Sequence, residues 1–416
     1  MTHVTDLPGD QVLSALPPAA AAALDALIAA HLGDTFPALA ITAIHRGEVL
    51  LNRGWGWIDP DTRRYAAGPA ALFDLASVSK LFAATAFLTL VSEGRAALDD
   101  PLVAVVPEFG ASGPRPLDGG QDPHSKAQLP TPPEAQGQTA DPARVTLRML
   151  LTHTSGLAPW RDVFRAAGPP PSPPDEADPV PRAERWANAL RALCAYPFVG
   201  QPGEGVVRYS DLGLMLLGEV VARLDGSGDL AAAVESRVCR PLGLASLTYN
   251  PLQNGRARTT IAPTEDDPAW RGRRCWGEVH DENACGAGGV AGHAGLFGVA
   301  RDVAALGQAW LAGDPRLAIA ADLRAEAVRE QAETDGTRRG LGWMLKAREG
   351  SSIGERFHPD SFGHFGFTGT SLWIDPARKL VVAALTNRVY PGREHPGIED
   401  FRRGLHDLLA EAVDGA

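Results

Sequence analysis

The chain has 416 residues, 44% of them hydrophobic and 21% charged, with 45 Gly and 34 Pro. That length and apolar share support a large core, better divided into two subdomains than one, and exclude a disordered or fibrous chain. Thirty-nine basic against 50 acidic residues leave a formal net charge of -11, which argues against nucleic acid or anionic lipid as a partner.

The first Lys or Arg is Arg46, and Asp6 and Asp10 stand where a secretory leader would carry its basic region. The run Ala19–Ala23 starts a surface helix instead, and the apolar run Leu81–Val91 is too short to cross a bilayer. The expectation is a cytoplasmic protein with no membrane span. Cys194, Cys239, Cys275 and Cys285 are too few to staple a chain of this size and read as buried free thiols.

In chain order, a helix is expected over 19–32, then a strand at Ala38–His45, where Ile41, Thr42 and Ile44 are β-branched. Gly47 and Glu48 turn the chain into a second strand at Val49–Trp57. From Ser77 to Glu93 there is no Pro or Gly, and Leu81, Phe82, Ala84, Phe87, Leu88 and Val91 mark a mostly buried helix. Two stretches rich in Pro, 111–143 and 169–182, predict loops or surface excursions. Helices are expected at 145–152, 183–196, 210–224, 229–239 and about 301–312. Strands follow at Gly340–Leu345, Gly369–Ile374 and Leu380–Thr386, and an amphipathic helix at Ile398–Val413 closes the chain. Strands at both ends and helices between them predict an α+β fold. One sheet is built from both chain ends (20–95 and 300–416), flanked by helices, with a mainly helical subdomain (96–299) inserted.

Three segments carry chemistry. Ser77-Val78-Ser79-Lys80 opens the apolar helix, and its spacing puts the Ser77 hydroxyl and the Lys80 amine on one helix face. Free N–H groups at a helix start favour developing negative charge, and a nearby base turns a serine into a nucleophile. Taken alone, the pair is equally a routine cap and a surface lysine. Tyr209-Ser210-Asp211 stands at a loop-to-helix junction, where a Tyr hydroxyl can point into a cleft. Gly363-His364-Phe365-Gly366-Phe367-Thr368-Gly369 precedes a strand, and its glycines let a ligand approach backbone N–H groups closely enough to stabilise an oxyanion.

In that order the segments resemble the SxxK, YxN and KTG/HxG motifs of the serine β-lactamase and penicillin-binding protein superfamily. The class C-like branch of esterases, D,D-peptidases and D-aminopeptidases is the most similar. Leu150-Leu151-Thr152-His153-Thr154-Ser155-Gly156-Leu157, Leu98-Asp99-Asp100-Pro101 and Pro241-Leu242-Gly243-Leu244 are similar to further signatures of that branch. The resemblance spans about residues 20–413. It implies the β-lactamase/D,D-peptidase-like fold, an α/β sandwich plus a helical region. It also implies an acyl-enzyme on Ser77, acid–base work by Lys80 and Tyr209, and an oxyanion hole from the backbone N–H groups of Ser77 and Phe367. His364 would join the catalytic set, orienting the substrate and tuning the field around Tyr209, and Asp211, Gly366 and Thr368 would hold the substrate. No cofactor or metal is implied, and the partner is a small ester, amide or peptide-like substrate.

Two departures stand out. Asp211 replaces the usual Asn; a carboxylate only accepts hydrogen bonds and favours a protonated Lys80, which moves base character to Tyr209. His364 replaces the usual Lys and offers less fixed charge to a substrate carboxylate. Both changes point toward an esterase or a hydrolase of peptides containing D-amino acids. The alternatives are a class C-like β-lactamase and a catalytically weak protein that binds penicillin or wall fragments. His153, His280, Asp281, Glu282 and His293 lack zinc-site spacing and are expected to fix a cleft wall. Gly286–Gly289 does not match a nucleotide fingerprint. Trp160, Trp186, Trp270 and Trp276 are expected mainly in the core, while Arg388 and Tyr390 are within reach of the site.

Overall fold

The computed structural model describes residues 11–415, so Asp6 and Asp10, on which the leader argument rests, lie outside the described residues. The N-terminal part supplies β1 (Leu13–Ser14), α1 (Pro18–His31), β2 (Ala38–His45) and β3 (Glu48–Gly56), and then α2 (Ser79–Ser92). The middle of the chain contributes α3 (Leu147–Thr152), α4 (Arg182–Leu193) and α5 (Asp211–Asp225). After α6 (Ala300–Ala312) come β4 (Ala332–Thr334), β5 (Thr337–Arg339), β6 (Met344–Leu345), β7 (Phe362–Phe365), β8 (Ser371–Asp375), β9 (Leu380–Thr386) and α7 (Ile398–Asp414).

These strands form one antiparallel sheet in the order β1-β3-β2-β9-β8-β7-β6-β5-β4. Its centre is the pairing of β2 with β9, Thr42 opposite Ala383, which joins distant parts of the chain. Both central strands are apolar on both faces because both faces are covered. Leu24 and Ile28 of α1, with Phe401, Leu405 and Leu409 of α7, pack with Ile41 and Val382 on one side. Val303 and Leu306 of α6 belong with Ile44, Val381 and Ala383 on the other. Helix α2 is buried at every position from Ser79 to Leu90, as expected for a helix that is apolar all round.

The two Pro-rich excursions are largely irregular but anchored. Arg115 pairs in register with Ala140 at the base of the first. Its guanidinium lies 4.2 Å from the Phe109 ring and 4.5 Å from the Phe198 ring, and donates to Cys194 O at 2.9 Å and Tyr196 O at 3.0 Å. The second is held by Arg185, which donates to Pro169 O and Asp178, both at 2.8 Å.

Three expectations need correction. The strand expected at Gly340–Leu345 shrinks to Met344–Leu345, because Gly342 adopts φ +80° and Gly340 donates back to Trp343 in a tight turn. The helix expected at 229–239 is α-helical only over Leu230–Val234 and continues as a π-helical turn through Cys239. The glycine-bearing segment expected only to precede a strand is itself paired over Phe362–Phe365 as β7, an interior strand between β6 and β8. All four cysteines are buried and unbridged, and burial pushes the Cys275 and Cys285 thiols up to about 12. No described helix is long and apolar enough to cross a membrane.

Candidate active site

Ser77 lies in a 3-10 turn, Ala76–Val78, that runs into α2. The turn begins with strain: Ala76 has φ +46°, a left-handed conformation that costs a residue with a Cβ roughly 1–2 kcal/mol. Asp74 holds it there. Its Oδ1 accepts the Ala76 N–H at 2.8 Å, its Oδ2 accepts the His280 N–H at 2.6 Å, and its backbone carbonyl accepts from Thr368 Oγ1 at 2.8 Å. One buried side chain thus ties the nucleophile turn to the loop at 280, and its own carbonyl ties it to the segment after β7. Burial lifts the Asp74 carboxyl above the ordinary carboxylate range.

One helical turn beyond Ser77, Lys80 is 1% exposed and places Nζ 2.8 Å from Ser77 Oγ, 2.7 Å from Asp211 Oδ1 and 3.1 Å from His293 O. Burial alone would lower its pKa, but the charges and hydrogen bonds of Asp211 and Tyr209 outweigh burial and raise it. Lys80 is therefore a cation at neutral pH, donating to Ser77 Oγ.

Asp211 is the first residue of α5, capped by Ser210, whose Oγ accepts the Gly213 N–H at 3.2 Å. The cap presents Tyr209 immediately before the helix. His153, with φ +59° at the C-cap of α3, accepts the Ser210 N–H on Nδ1 at 2.9 Å and lies 4.6 Å from the Tyr209 ring. The 150–157 segment is in this way a clamp on the second motif. Lys80 Nζ and the Arg339 guanidinium approach the Tyr209 ring at 4.9 Å and 5.0 Å.

The third wall is the end of β7. His364 is buried, its ring 5.9 Å from Tyr209, and Nδ1 lies 2.7 Å from Phe365 O. Burial, with the nearby Lys80 and Arg339 charges, pushes its pKa well below the ordinary value, so the ring is neutral. At Gly366 a Cβ would collide with Thr370 Oγ1 and lie 2.6 Å from Leu75 O, so only glycine lets this strand pass the nucleophile turn. Phe367 is exposed, with its ring 5.6 Å from His280 and beneath Arg388 at 4.8 Å. Among the described residues, neither the Ser77 nor the Phe367 N–H is matched to a backbone carbonyl.

Ser77, Tyr209, His364, Gly366 and Phe367 line one cleft of about 700 Å³. Lys80 and Asp211 back it as a buried ion pair. Thr368 is fully buried and hydrogen-bonded to Asp74 O, so it braces the wall and does not line the cleft. His293 Nε2 pairs with Asp281 at 2.8 Å and His280 Nε2 with Glu265 at 2.8 Å, fixing the loop whose carbonyl meets Lys80. Arg388 lines the cleft, whereas Tyr390 and the four Trp residues named above do not. Neither Asp74 nor Arg339 is signalled by any pattern of residues, each being a single charged side chain outside any motif.

The model of the Beta-lactamase family matches residues 24–406, and the chain belongs to that family. It is a hydrolase of this class. A relative from Bacillus subtilis (strain 168) named "N-acetylmuramyl-L-alanine amidase" is 30% identical over 423 residues, covering 94% of this chain and 87% of the relative. One from Escherichia coli (strain K12), named "Putative D-alanyl-D-alanine carboxypeptidase", is 29% identical over 398 residues, covering 88% and 81%. Among solved structures, a penicillin-binding protein homologue from Caulobacter crescentus aligns with a TM-score of 0.67 at 21% identity over 97% of this chain and all 100% of its own. That likeness establishes the mixed helix and antiparallel-sheet fold.

Proposed function

We propose that this protein is a serine hydrolase that forms an acyl-enzyme on Ser77 and acts on ester, amide or D-amino-acid peptide carbonyls. The observation that carries the proposal is the 2.8 Å contact between Lys80 Nζ and Ser77 Oγ, in a cleft that Tyr209 and Phe367 also line.

Because Lys80 is paired with Asp211, it acts as a fixed cation beside the reacting oxygen. The phenolate form of Tyr209, flanked by the Lys80 and Arg339 charges, takes the Ser77 proton as Oγ attacks the carbonyl carbon. The new C–O bond pushes the carbonyl electrons onto oxygen, where the Ser77 and Phe367 N–H groups receive the charge; a donor of this kind is typically worth about 3–4 kcal/mol. Collapse breaks the bond to the leaving alcohol or amine, which takes the proton back from Tyr209. Water then repeats the sequence on the Ser77 ester, releasing the acid and the free serine.

Intact-protein mass spectrometry after incubation with nitrophenyl esters, β-lactams and D-alanyl peptides tests this. A transient acyl adduct on Ser77, absent in Ser77→Ala and followed by many turnovers, is the expected result; no adduct with any of them sinks the proposal. The buried Lys80–Asp211 pair favours one second reading, a weak enzyme that acylates with β-lactams and releases them slowly. It predicts an adduct that persists after excess reagent is removed.

A further inference from the structure

The tip of the first Pro-rich excursion is a built turn. Asp122 Oδ1 accepts the His124 and Ser125 N–H groups at 3.0 Å and 2.6 Å, and the Lys126 N–H donates to Asp122 O at 2.9 Å. Lys126 itself has φ +61°, a conformation that favours glycine. The turn seats its ammonium 4.2 Å from the Trp160 ring, donating to Pro123 O at 2.7 Å and to Glu282 Oε1 at 3.2 Å.

Glu282 joins this excursion to the cleft. The same Oε1 accepts from Arg393 Nη2 at 2.7 Å, and Arg393 Nε donates to Glu265 Oε2 at 2.7 Å. The four side chains are 11–22% exposed, so their ion pairs are shielded from water as ordinary surface pairs are not. Residues 393–397 line the cleft that holds Ser77 and Tyr209. Among the described residues, no N–H of 393–397 is matched to a backbone carbonyl, so side chains must hold this strap in place. Arg388 Nη1 donates to Arg393 O at 2.9 Å, and Gly397 O accepts the Phe401 N–H at the far end. The remaining ties are loose: Glu394 faces His124 at 3.6 Å and His395 faces Asp34 at 3.9 Å, both through well-exposed carboxylates. Arg393, gripped by two carboxylates, is the main fastening.

We propose that Glu282 is a positioning residue that sets substrate size: by latching Arg393 it keeps the strap closed on the cleft. Bulky substrates then reach Ser77 only in the fraction of molecules whose strap has opened. The assignment deepens the hydrolase proposal above and rests on it for the reaction at Ser77. Lys126 braces the latch, which gives the Pro-rich excursion a part in choosing substrates although it does not touch the reacting atoms.

The test uses the full chain and its Glu282→Gln variant. Trypsin cuts after Arg393 only when that side chain is released, so early cleavage, mapped by mass spectrometry, follows the open fraction. The variant loses a charge-assisted hydrogen bond, and cleavage at Arg393 should rise about 10-fold. Cleavage after the exposed Arg348, also followed by Glu, should stay unchanged. Because both rates follow one opening equilibrium, kcat/KM for the nitrophenyl ester of pyrenebutyrate should rise by the same factor, while that for nitrophenyl acetate stays within about twofold. Lys126→Met should move the Arg393 cleavage and the bulky ester together, by about threefold. Unchanged cleavage at Arg393, a rise shared by Arg348, or a pyrenebutyrate rate that does not follow the cleavage would overturn the assignment. If Glu282→Gln does not fold by circular dichroism, Lys126→Met decides by the same criteria. Failure of the hydrolase proposal shows separately, as no Ser77-dependent turnover of nitrophenyl acetate by the unsubstituted protein, and cleavage at Arg393 then still decides the latch.

Discussion

Asp211 is where a single side chain changes the expected chemistry. Its carboxylate holds Lys80 protonated, so the cation must survive for the cleft to work and the alkaline limb of a pH–rate profile should report its loss. Asp211→Asn removes the charge that raises Lys80. In that variant the alkaline limb of kcat/KM for a nitrophenyl ester should move to lower pH; an unmoved limb would mean that Lys80 is not the titrating group. Gly366→Ala tests the opposite wall. Its Cβ would crowd Leu75 O and Thr370 Oγ1, displacing the nucleophile turn, and a misplacement near 1 Å costs about 100-fold in rate. The expected result is that loss in kcat with the protein still folded, while unchanged kcat would show that the turn tolerates the displacement. Asp74→Ala would strand the buried Ala76 and His280 N–H groups, at about 1–3 kcal/mol each. Denaturant midpoints measure that loss.

Among the elements, α6 lies close to the sheet because Gly307 has no side chain. A Cβ there would stand 2.7 Å from Val381 Cγ1 and 3.0 Å from Leu372 Cδ1. Alanine favours helix by about 1 kcal/mol over glycine, but overpacking against a stiff β-branched side chain costs about 1–3 kcal/mol. Gly307→Ala should therefore destabilise the protein despite its better helix propensity, and a rise in melting temperature would contradict this packing account. The same balance of local and tertiary terms explains what the sequence disclosed. Ala38–His45 and Leu380–Thr386 were legible because β-branching and continuous apolar character coincide there, and both match β2 and β9. The nucleophile helix was legible from its unbroken apolar run. Strand β7 was hidden, since the glycine-bearing Gly363–Gly369 reads as the approach to the next strand and its pairing with β6 and β8 appears only in the fold. Arg339 was illegible. A lone Arg on a three-residue strand has no pattern until folding sets it against Tyr209.

At the scale of the whole molecule, three buried histidines set a limit on acid stability. Burial is the largest cause of depression in His153, His364 and His406, with His406 lowered to about 4. Each group titrates near 6.5 when the chain is unfolded. The stability they confer is present above that value and is lost as pH falls through the window down to the folded values, because the unfolded chain binds more protons there. For His406 alone the linkage is on the order of 3 kcal/mol. Melting temperature should fall steadily between pH 6.5 and about 4, and a flat profile would exclude this coupling.

The seam where β2 meets β9 also governs how the protein is made. Ala38–His45 is synthesised early, yet its partner strand is translated only after almost the entire helical middle of the chain. Until then an apolar strand waits with one edge unsatisfied, a state that favours slow maturation and association with other nascent chains. Ribosome-bound chains halted before Leu380 should hold β2 open to protease, and release of the remaining residues should close it in one late, concerted event.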